Sequence, residues 1–169
     1  ALFAITTGLI GDLFMVASRQ QVSTRARVRL QSDLQLVIET IARELREGTI
    51  DYGELQADEL AMRDADGRAV RFRRSTTACT PACVEIGRGT NGSISWAPLT
   101  GTAVNVRSFA FRVAPAADPY AWDSARGVYG ADAQPRVTVA LDAVSTIGRA
   151  GDRPDAHVQT TIVSRVYRR

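Results

Sequence analysis

The sequence predicts an α+β fold in which one long N-terminal helix packs on an antiparallel β-sheet. Three observations predict it: apolar residues at helical spacing up to residue 47, alternating strand-like segments after residue 58, and turn signals between those segments. The chain has 169 residues, of which 45% are hydrophobic. The roughly 120 residues that follow the helix are enough for one small domain with its own core.

The helix is predicted over residues 1–47 and has two chemically different parts. Residues 1–17 form an apolar half that carries one charge, Asp12. Residues 18–50 contain the amphipathic half, with one apolar stripe at spacings of three and four. The members of this stripe are Val22, Ala26, Leu30, Leu34, Val37, Ile38, Ile41, Ala42 and Leu45. Gly48 follows the stripe and is predicted to end the helix in a left-handed conformation.

The apolar half is expected to lie in a membrane, against other helices, or in both in turn. A helix of about 70 Å is too long to pack entirely on a small domain. Seventeen residues are fewer than the roughly 20 that a membrane span needs, so residues upstream of Ala1 are expected. A buried helix of a soluble protein is the alternative. The residues expected at the membrane or helix contact are Leu2, Phe3, Ile5, Leu9, Ile10, Asp12, Leu13 and Phe14.

Residues 51–169 are predicted to form an antiparallel β domain. The predicted strands are 59–63, 68–73, 84–88, 93–98, 104–113, 135–141 and 158–166. Asp66-Gly67 predicts a hairpin turn between the first two strands. The apolar alternation changes phase at Arg107-Ser108, which predicts a β-bulge. Residues 114–134 form a long insertion, and insertions of this length are often functional or mobile.

Cys79 and Cys83 are separated by three residues that include Pro81. They are predicted to form a disulfide that closes a tight loop in an oxidising compartment. A redox pair or a pair of metal ligands is the alternative, although one His and two Cys cannot supply four Cys or His ligands to zinc.

The insertion contains two sets of candidate binding residues. Asp118, Asp123 and Asp132 are weak candidates for calcium, because their spacing does not match an EF-hand loop. Tyr120, Trp122 and Tyr129 are candidates for contact with a partner, or else for anchoring the insertion to its own sheet.

Charge and motifs restrict the function classes. All 21 basic residues are Arg and they nearly balance 18 acidic residues, which argues only weakly for an anionic partner. Arg25 and Arg29 are candidates for contact with another protein, with anionic lipid and DNA as the alternatives, and no specific nucleic-acid partner is predicted. No phosphate-binding loop, paired catalytic carboxylates or triad pattern occurs, so we predict no enzyme and no cofactor.

The order of these segments resembles that of the type IV pilin and pseudopilin superfamily, and is most similar to its minor subunits, the J-type pseudopilins and W-type minor pilins. The similar segments are RVRLQSDLQLVIETIARELREG, the DADG hairpin, WAPLTGTAVNV, VRSFAFRV, QPRVTVAL and VQTTIVSRVYRR. The family's peptidase motif does not occur in the sequence, and Ala1 corresponds to a position about ten residues into the family's helix.

The resemblance implies a pilin-like fold and a structural role. The chain would initiate, cap or decorate a type IV pilus or a type II secretion pseudopilus. Its partners would be other subunits, and it would be membrane-anchored before assembly with its C-terminal domain outside the cytoplasm. Asp12 would then pair with a cation or an amine of a neighbour. The alternative function is a single-pass membrane-anchored binding or sensor domain.

Overall fold

A computed structural model describes the backbone of residues 2–90, 92–130, 133–149 and 151–164, and the side chains of those residues except 2–16 and 19. It contains one helix, α1 (Leu2–Glu47), within these residues. The strands are β1 (Thr49–Ile50), β2 (Glu59–Arg63), β3 (Ala69–Ser75), β4 (Cys83–Thr90), β5 (Ser93–Pro98), β6 (Val104–Ala114), β7 (Trp122–Asp123), β8 (Val128–Tyr129), β9 (Arg136–Ser145) and β10 (Asp155–Val163).

The strands form two main sheets and one small hairpin. Sheet A has five strands in the order β1-β2-β3-β4-β5, so each strand pairs with its neighbour in sequence. Sheet B has three strands in the order β10-β9-β6. The third unit is the two-stranded hairpin β7-β8, which lies in the insertion between β6 and β9. All of these pairings are antiparallel.

One hydrophobic core joins the helix to both sheets. The helix contributes buried residues at spacings of three and four from Ala26 to Leu45, which is the period that places them on one face. Its buried apolar residues are Ala26, Leu30, Leu34, Val37, Ile41, Ala42 and Leu45. Sheet A contributes Leu60, Met62, Val70, Phe72, Val84 and Ile86, and sheet B contributes Val104, Val106, Phe109, Val137, Val139, Leu141, Ala143 and Ile162.

Polar contacts fix the helix and the two sheets relative to one another. Arg88 of β4 forms an ion pair with Glu44 of the helix. Asp33 accepts a hydrogen bond from the backbone N–H of Gly101 (3.3 Å) in the β5–β6 connection. Sheet A meets sheet B where the side chain of Arg74 donates to the carbonyl of Val106 (2.8 Å).

Two local predictions are confirmed. The β2–β3 turn has Gly67 at a φ of 80°, and Asp64 accepts hydrogen bonds from the backbone N–H groups of Asp66 (2.9 Å) and Arg68 (2.8 Å). The register of β6 against β9 shifts between Val106 and Ser108, which is the bulge that the phase change predicts.

The predicted reason for Gly48 is wrong. Gly48 is not among the glycines with positive φ, so it does not adopt a left-handed cap. A Cβ at this position would instead collide with the carbonyl oxygen of Arg63. Gly48 is therefore suited to its position by the close approach of β2 to the end of the helix.

The predicted fold class is also wrong. A pilin-like arrangement was expected, with one antiparallel sheet packed along a long helix, and only the coarse combination of a helix with antiparallel strands remains. The chain is rich in strands, these divide between two sheets, and buried side chains of the helix begin only at Ala26 in the described part. The division arises because β6 pairs over ten residue pairs with β9 instead of continuing sheet A from β5. Alternation identifies the buried face of a strand but not its neighbour.

Candidate interaction surface

The insertion between β6 and β9 leaves one of its aromatic side chains half-buried, at Tyr120, and two exposed, at Trp122 and Tyr129. Asp118 accepts a hydrogen bond from the backbone N–H of Tyr120 (2.9 Å), and the carbonyl of Asp118 accepts one from Ala121 (3.3 Å). This turn directs Tyr120 toward the domain, where its side chain is half-buried. The chain then enters the β7–β8 hairpin, whose turn is held by Asp123 through the backbone N–H groups of Ala125 (3.0 Å) and Arg126 (3.2 Å).

The β7–β8 hairpin presents an exposed apolar patch, which we name the aromatic hairpin and define as Trp122, Val128 and Tyr129. Trp122 and Tyr129 are cross-strand partners, and their rings meet edge to face with centroids 5.1 Å apart. Their exposed fractions are 57% and 49%, and that of Val128 is 52%. A rigid aromatic pair that is open to solvent has the composition of a protein contact surface.

Tyr120 lies instead beside a crevice of about 240 Å³ on the domain. The crevice is lined by Thr49, Ile50, Tyr52, Asp118, Tyr120, Pro135 and Ser164. These residues come from β1, the loop after it, the insertion, and the adjoining ends of β9 and β10. The edge is closed by a hydrogen bond from the backbone N–H of Ser164 to the carbonyl of Pro135 (2.9 Å).

Tyr52 has the most perturbed titration among the described residues. Burial raises its pKa to about 12, and the negative charge of Asp118 and the neighbouring Tyr120 add to the shift. The hydroxyl of Tyr52 is buried and has no hydrogen-bond partner among the described groups. Nothing in the sequence distinguishes Tyr52 as a site residue, because a single Tyr in a polar connection carries no pattern.

The structure joins Cys79 and Cys83 in a disulfide, with Cα atoms 5.8 Å apart. The disulfide loop precedes β4 and lines a shallow depression together with residues 98–102. Glu85 lies close to both sulfurs, and the three side chains are the one group of potential metal ligands detected in the described residues. Both sulfurs are bonded to each other in the disulfide. The oxidised cysteine pair therefore offers no thiolate to a metal.

The other predicted site residues are separated from this region. Arg25 and Arg29 are exposed on the helix. Asp118 and Asp123 hold two different turns, and neither belongs to the group of potential metal ligands detected in the described part of the chain. Asp132 lies outside the described residues. The predicted membrane or filament contacts, at Leu2, Phe3, Ile5, Leu9, Ile10, Asp12, Leu13 and Phe14, lie outside the described side chains.

The helical residues that the structure describes include no stretch that is both long and apolar enough to cross a bilayer. No family model matches the chain, and neither curated proteins nor solved structures give a match.

Proposed function

We propose that this chain is a structural subunit that assembles with other subunits through its N-terminal helix. The observation that supports this most is the mismatch between the helix and its own domain. The helix has 46 residues, or about 69 Å at 1.5 Å per residue. Buried side chains begin at Ala26, whereas every described side chain from Ala17 to Arg25 is exposed. A helix that its own domain covers only in part has surface available for other helices or for lipid.

Exposed apolar residues on the helix support the same proposal. Val22, Val28 and Leu36 have exposed fractions of 45%, 60% and 50%. Val22 also borders a crevice that it forms with Ile147 in the β9–β10 loop. The apolar surface of the helix therefore extends beyond the stripe that packs on the domain, as expected of a helix with more than one contact.

The sequence resembles minor pilins and pseudopilins, and this resemblance indicates which class of assembly we propose. The chain would be a minor subunit of a type IV pilus or a type II secretion pseudopilus, anchored in a membrane before assembly and exposed outside the cytoplasm. The Cys79–Cys83 disulfide is consistent with this location, since disulfides persist in oxidising compartments. No catalytic role is proposed.

The native N-terminus tests this proposal. Protein is recovered from sheared filaments and from membranes of the producing cells and is analysed by mass spectrometry. We expect a processed chain in the filament fraction, with an N-methylated residue about ten positions before Ala1 and Glu as the fifth residue. An unprocessed chain found in membranes alone would contradict the proposal.

Substitution on the helix tests the contact itself. Val28→Glu places a charge on exposed helix surface and is expected to reduce recovery in the filament fraction several-fold without lowering the melting temperature. Val163→Glu is the matched control, because Val163 is similarly exposed (43%) but lies at the end of β10, outside the helix and the aromatic hairpin. Equal recovery of Val28→Glu and wild type would argue against helix-mediated assembly on this face.

The aromatic hairpin favours a second candidate function, a membrane-anchored domain that binds a partner or senses a ligand. Exposed Trp and Tyr side chains are enriched among the residues that dominate binding energy. Under this alternative, Trp122→Ala would abolish partner capture by the intact chain and leave its membrane fractionation unchanged. If Trp122→Ala instead reduces incorporation into filaments and still captures the partner, the result would favour the proposal that the chain is an assembly subunit.

A further inference from the structure

The crevice beside Tyr52 has an electrostatic character that the assembly proposal does not use. Asp118 is the one ionised side chain among its lining residues. No salt bridge pairs Asp118 with a cation in the described part of the chain, and its carboxylate accepts a hydrogen bond from the backbone N–H of Tyr120. The carboxylate therefore keeps acceptor capacity and an uncompensated negative charge at the wall of the crevice.

The remaining wall consists of hydroxyl groups, aromatic rings and the apolar residues Ile50 and Pro135. Thr49 and Ser164 carry hydroxyls, and Tyr52 and Tyr120 carry rings with phenol groups. The Tyr52 hydroxyl is buried and has no hydrogen-bond partner among the described groups, so it keeps a donor and an acceptor for a bound group. Burial and the charge of Asp118 raise the pKa of this phenol to about 12. The crevice thus combines one negative charge, hydroxyl acceptors and two aromatic residues.

We propose that this crevice binds an organic ammonium group, either a primary amine or its methylated form. An ammonium ion is attracted by a carboxylate and by the negative faces of Tyr rings, which is the chemistry of aromatic cages. A volume of about 240 Å³ accepts such a group but not a large ligand. Calcium fits less well, because it requires six to eight oxygen ligands and the lining supplies one carboxylate.

Roles for the individual residues follow from this assignment. Asp118 provides the countercharge, and the Asx turn to Tyr120 fixes the position of its carboxylate. Tyr52 contributes its ring and an acceptor oxygen. The same turn connects the crevice to the aromatic hairpin two residues later, so a lysine side chain or N-terminal amine of a partner held by the hairpin would be near the crevice. This inference does not depend on helix-mediated assembly and can hold if that proposal fails.

The experiment uses the intact chain and three small probes. Tetramethylammonium, methylammonium and neutral tert-butanol are titrated separately, and binding is followed by calorimetry and by the aromatic NMR signals of Tyr52 and Tyr120. We expect saturable binding of the ammonium probes and binding of tert-butanol that is about tenfold weaker or more, because it has similar size and no charge. Equal affinity for tert-butanol, or no saturable binding of either ammonium ion, would overturn the proposal.

Two variants and a matched control complete the test. Asp118→Asn keeps an oxygen that can accept from Tyr120 but removes the charge, and it should weaken ammonium binding about tenfold. Tyr52→Phe keeps the ring and should weaken binding less. Asp123→Asn changes the corresponding carboxylate of the next turn, which does not line the crevice, and should leave binding unchanged.

Unchanged binding by Asp118→Asn, or an equal loss in Asp123→Asn, would contradict the assignment. Calcium at the same concentration is expected not to compete. If calcium displaces the ammonium probes in wild type but not in Asp118→Asn, the crevice is a metal site and the proposal fails. Near-ultraviolet circular dichroism of each variant verifies that the fold is retained.

Discussion

The two sheets cover their outer faces by different means. On sheet A, the face opposite the core carries long charged side chains in pairs. Arg71 contacts Glu59 (2.8 Å), and Arg73 contacts Glu85 (3.2 Å) while its guanidinium lies 3.7 Å from the centroid of the Trp96 ring. On sheet B, the outer face of β10 is polar and exposed, and Thr161 shares a hydroxyl–hydroxyl hydrogen bond with Thr138 (2.9 Å).

The difference shows that alternation along a strand does not by itself predict which side chains are exposed to solvent. Phe72 and Arg73 are neighbours on β3 with opposite orientations, which predicts one buried and one exposed side chain. Phe72 is buried, but the partner of Arg73, Glu85, has a side-chain exposed fraction of 2%. Arginine stems and a Trp ring cover the outer face of sheet A, and the charged groups that they cover are paired.

The largest expected effect is on the core face of sheet A. Phe72→Ala removes a fully buried ring and is expected to lower the free energy of unfolding by about 3–5 kcal/mol. Urea denaturation followed by circular dichroism measures it. A loss below about 1 kcal/mol would mean that the core collapses to fill the cavity and that sheet A depends mainly on its outer face.

The next effect tests the ion pairs of the outer face. Arg73→Ala leaves the Glu85 carboxylate buried without its cation and removes the stack on Trp96, so we expect a loss of about 2–3 kcal/mol, below the range for fully buried pairs because Arg73 is partly exposed. Arg112→Ala on the outer face of sheet B is the control and should change stability by less than about 0.5 kcal/mol. Equal effects of the two substitutions would mean that the paired charges do not make the outer face of sheet A more important for stability than that of sheet B.

A smaller effect is expected at Gly87 of β4, which lies against Ile94 and the ring of Trp96 in β5. A Cβ at Gly87 would lie 2.6 Å from Cγ2 of Ile94 and 3.0 Å from the ring of Trp96. Gly87→Ala should therefore cost about 1–2 kcal/mol through overpacking. Gly92→Ala serves as the comparison, since no heavy atom lies within 4 Å of its added Cβ. Thermal unfolding of both variants measures the difference, and a neutral Gly87→Ala would show that Trp96 is free to move away.

The smallest effect is expected on the outer face of sheet B. Thr161→Ala removes one exposed hydroxyl–hydroxyl contact and should change the free energy of unfolding by no more than about 0.5 kcal/mol. Chemical denaturation under the conditions used for Arg73→Ala checks this. A loss above about 1 kcal/mol would indicate that this face is as strongly coupled as that of sheet A.

The insertion shows what residue type can and cannot predict about a site. Tyr120, Trp122 and Tyr129 were predicted as one group, either contacting a partner or anchoring the loop. The structure divides them, because the Asx turn at Asp118 directs Tyr120 to the domain and the β7–β8 hairpin leaves Trp122 and Tyr129 exposed. The orientation depends on a turn whose acceptor, Asp118, was considered only as a calcium ligand. The sequence does not predict that Tyr52 lines the crevice, since the loop after β1 and the insertion are distant in sequence.

The residues of each segment specify its local structure. The Asp66-Gly67 turn, the bulge at Arg107 and the apolar stripe of the helix follow from residue-level rules that act over a few positions. The tertiary structure decided the rest. It paired β6 with β9, divided the strands into two sheets, placed Gly48 against β2, and brought Tyr52 to Asp118. These outcomes depend on contacts between segments far apart in the chain, and the period of a single strand or helix does not specify which partner it meets.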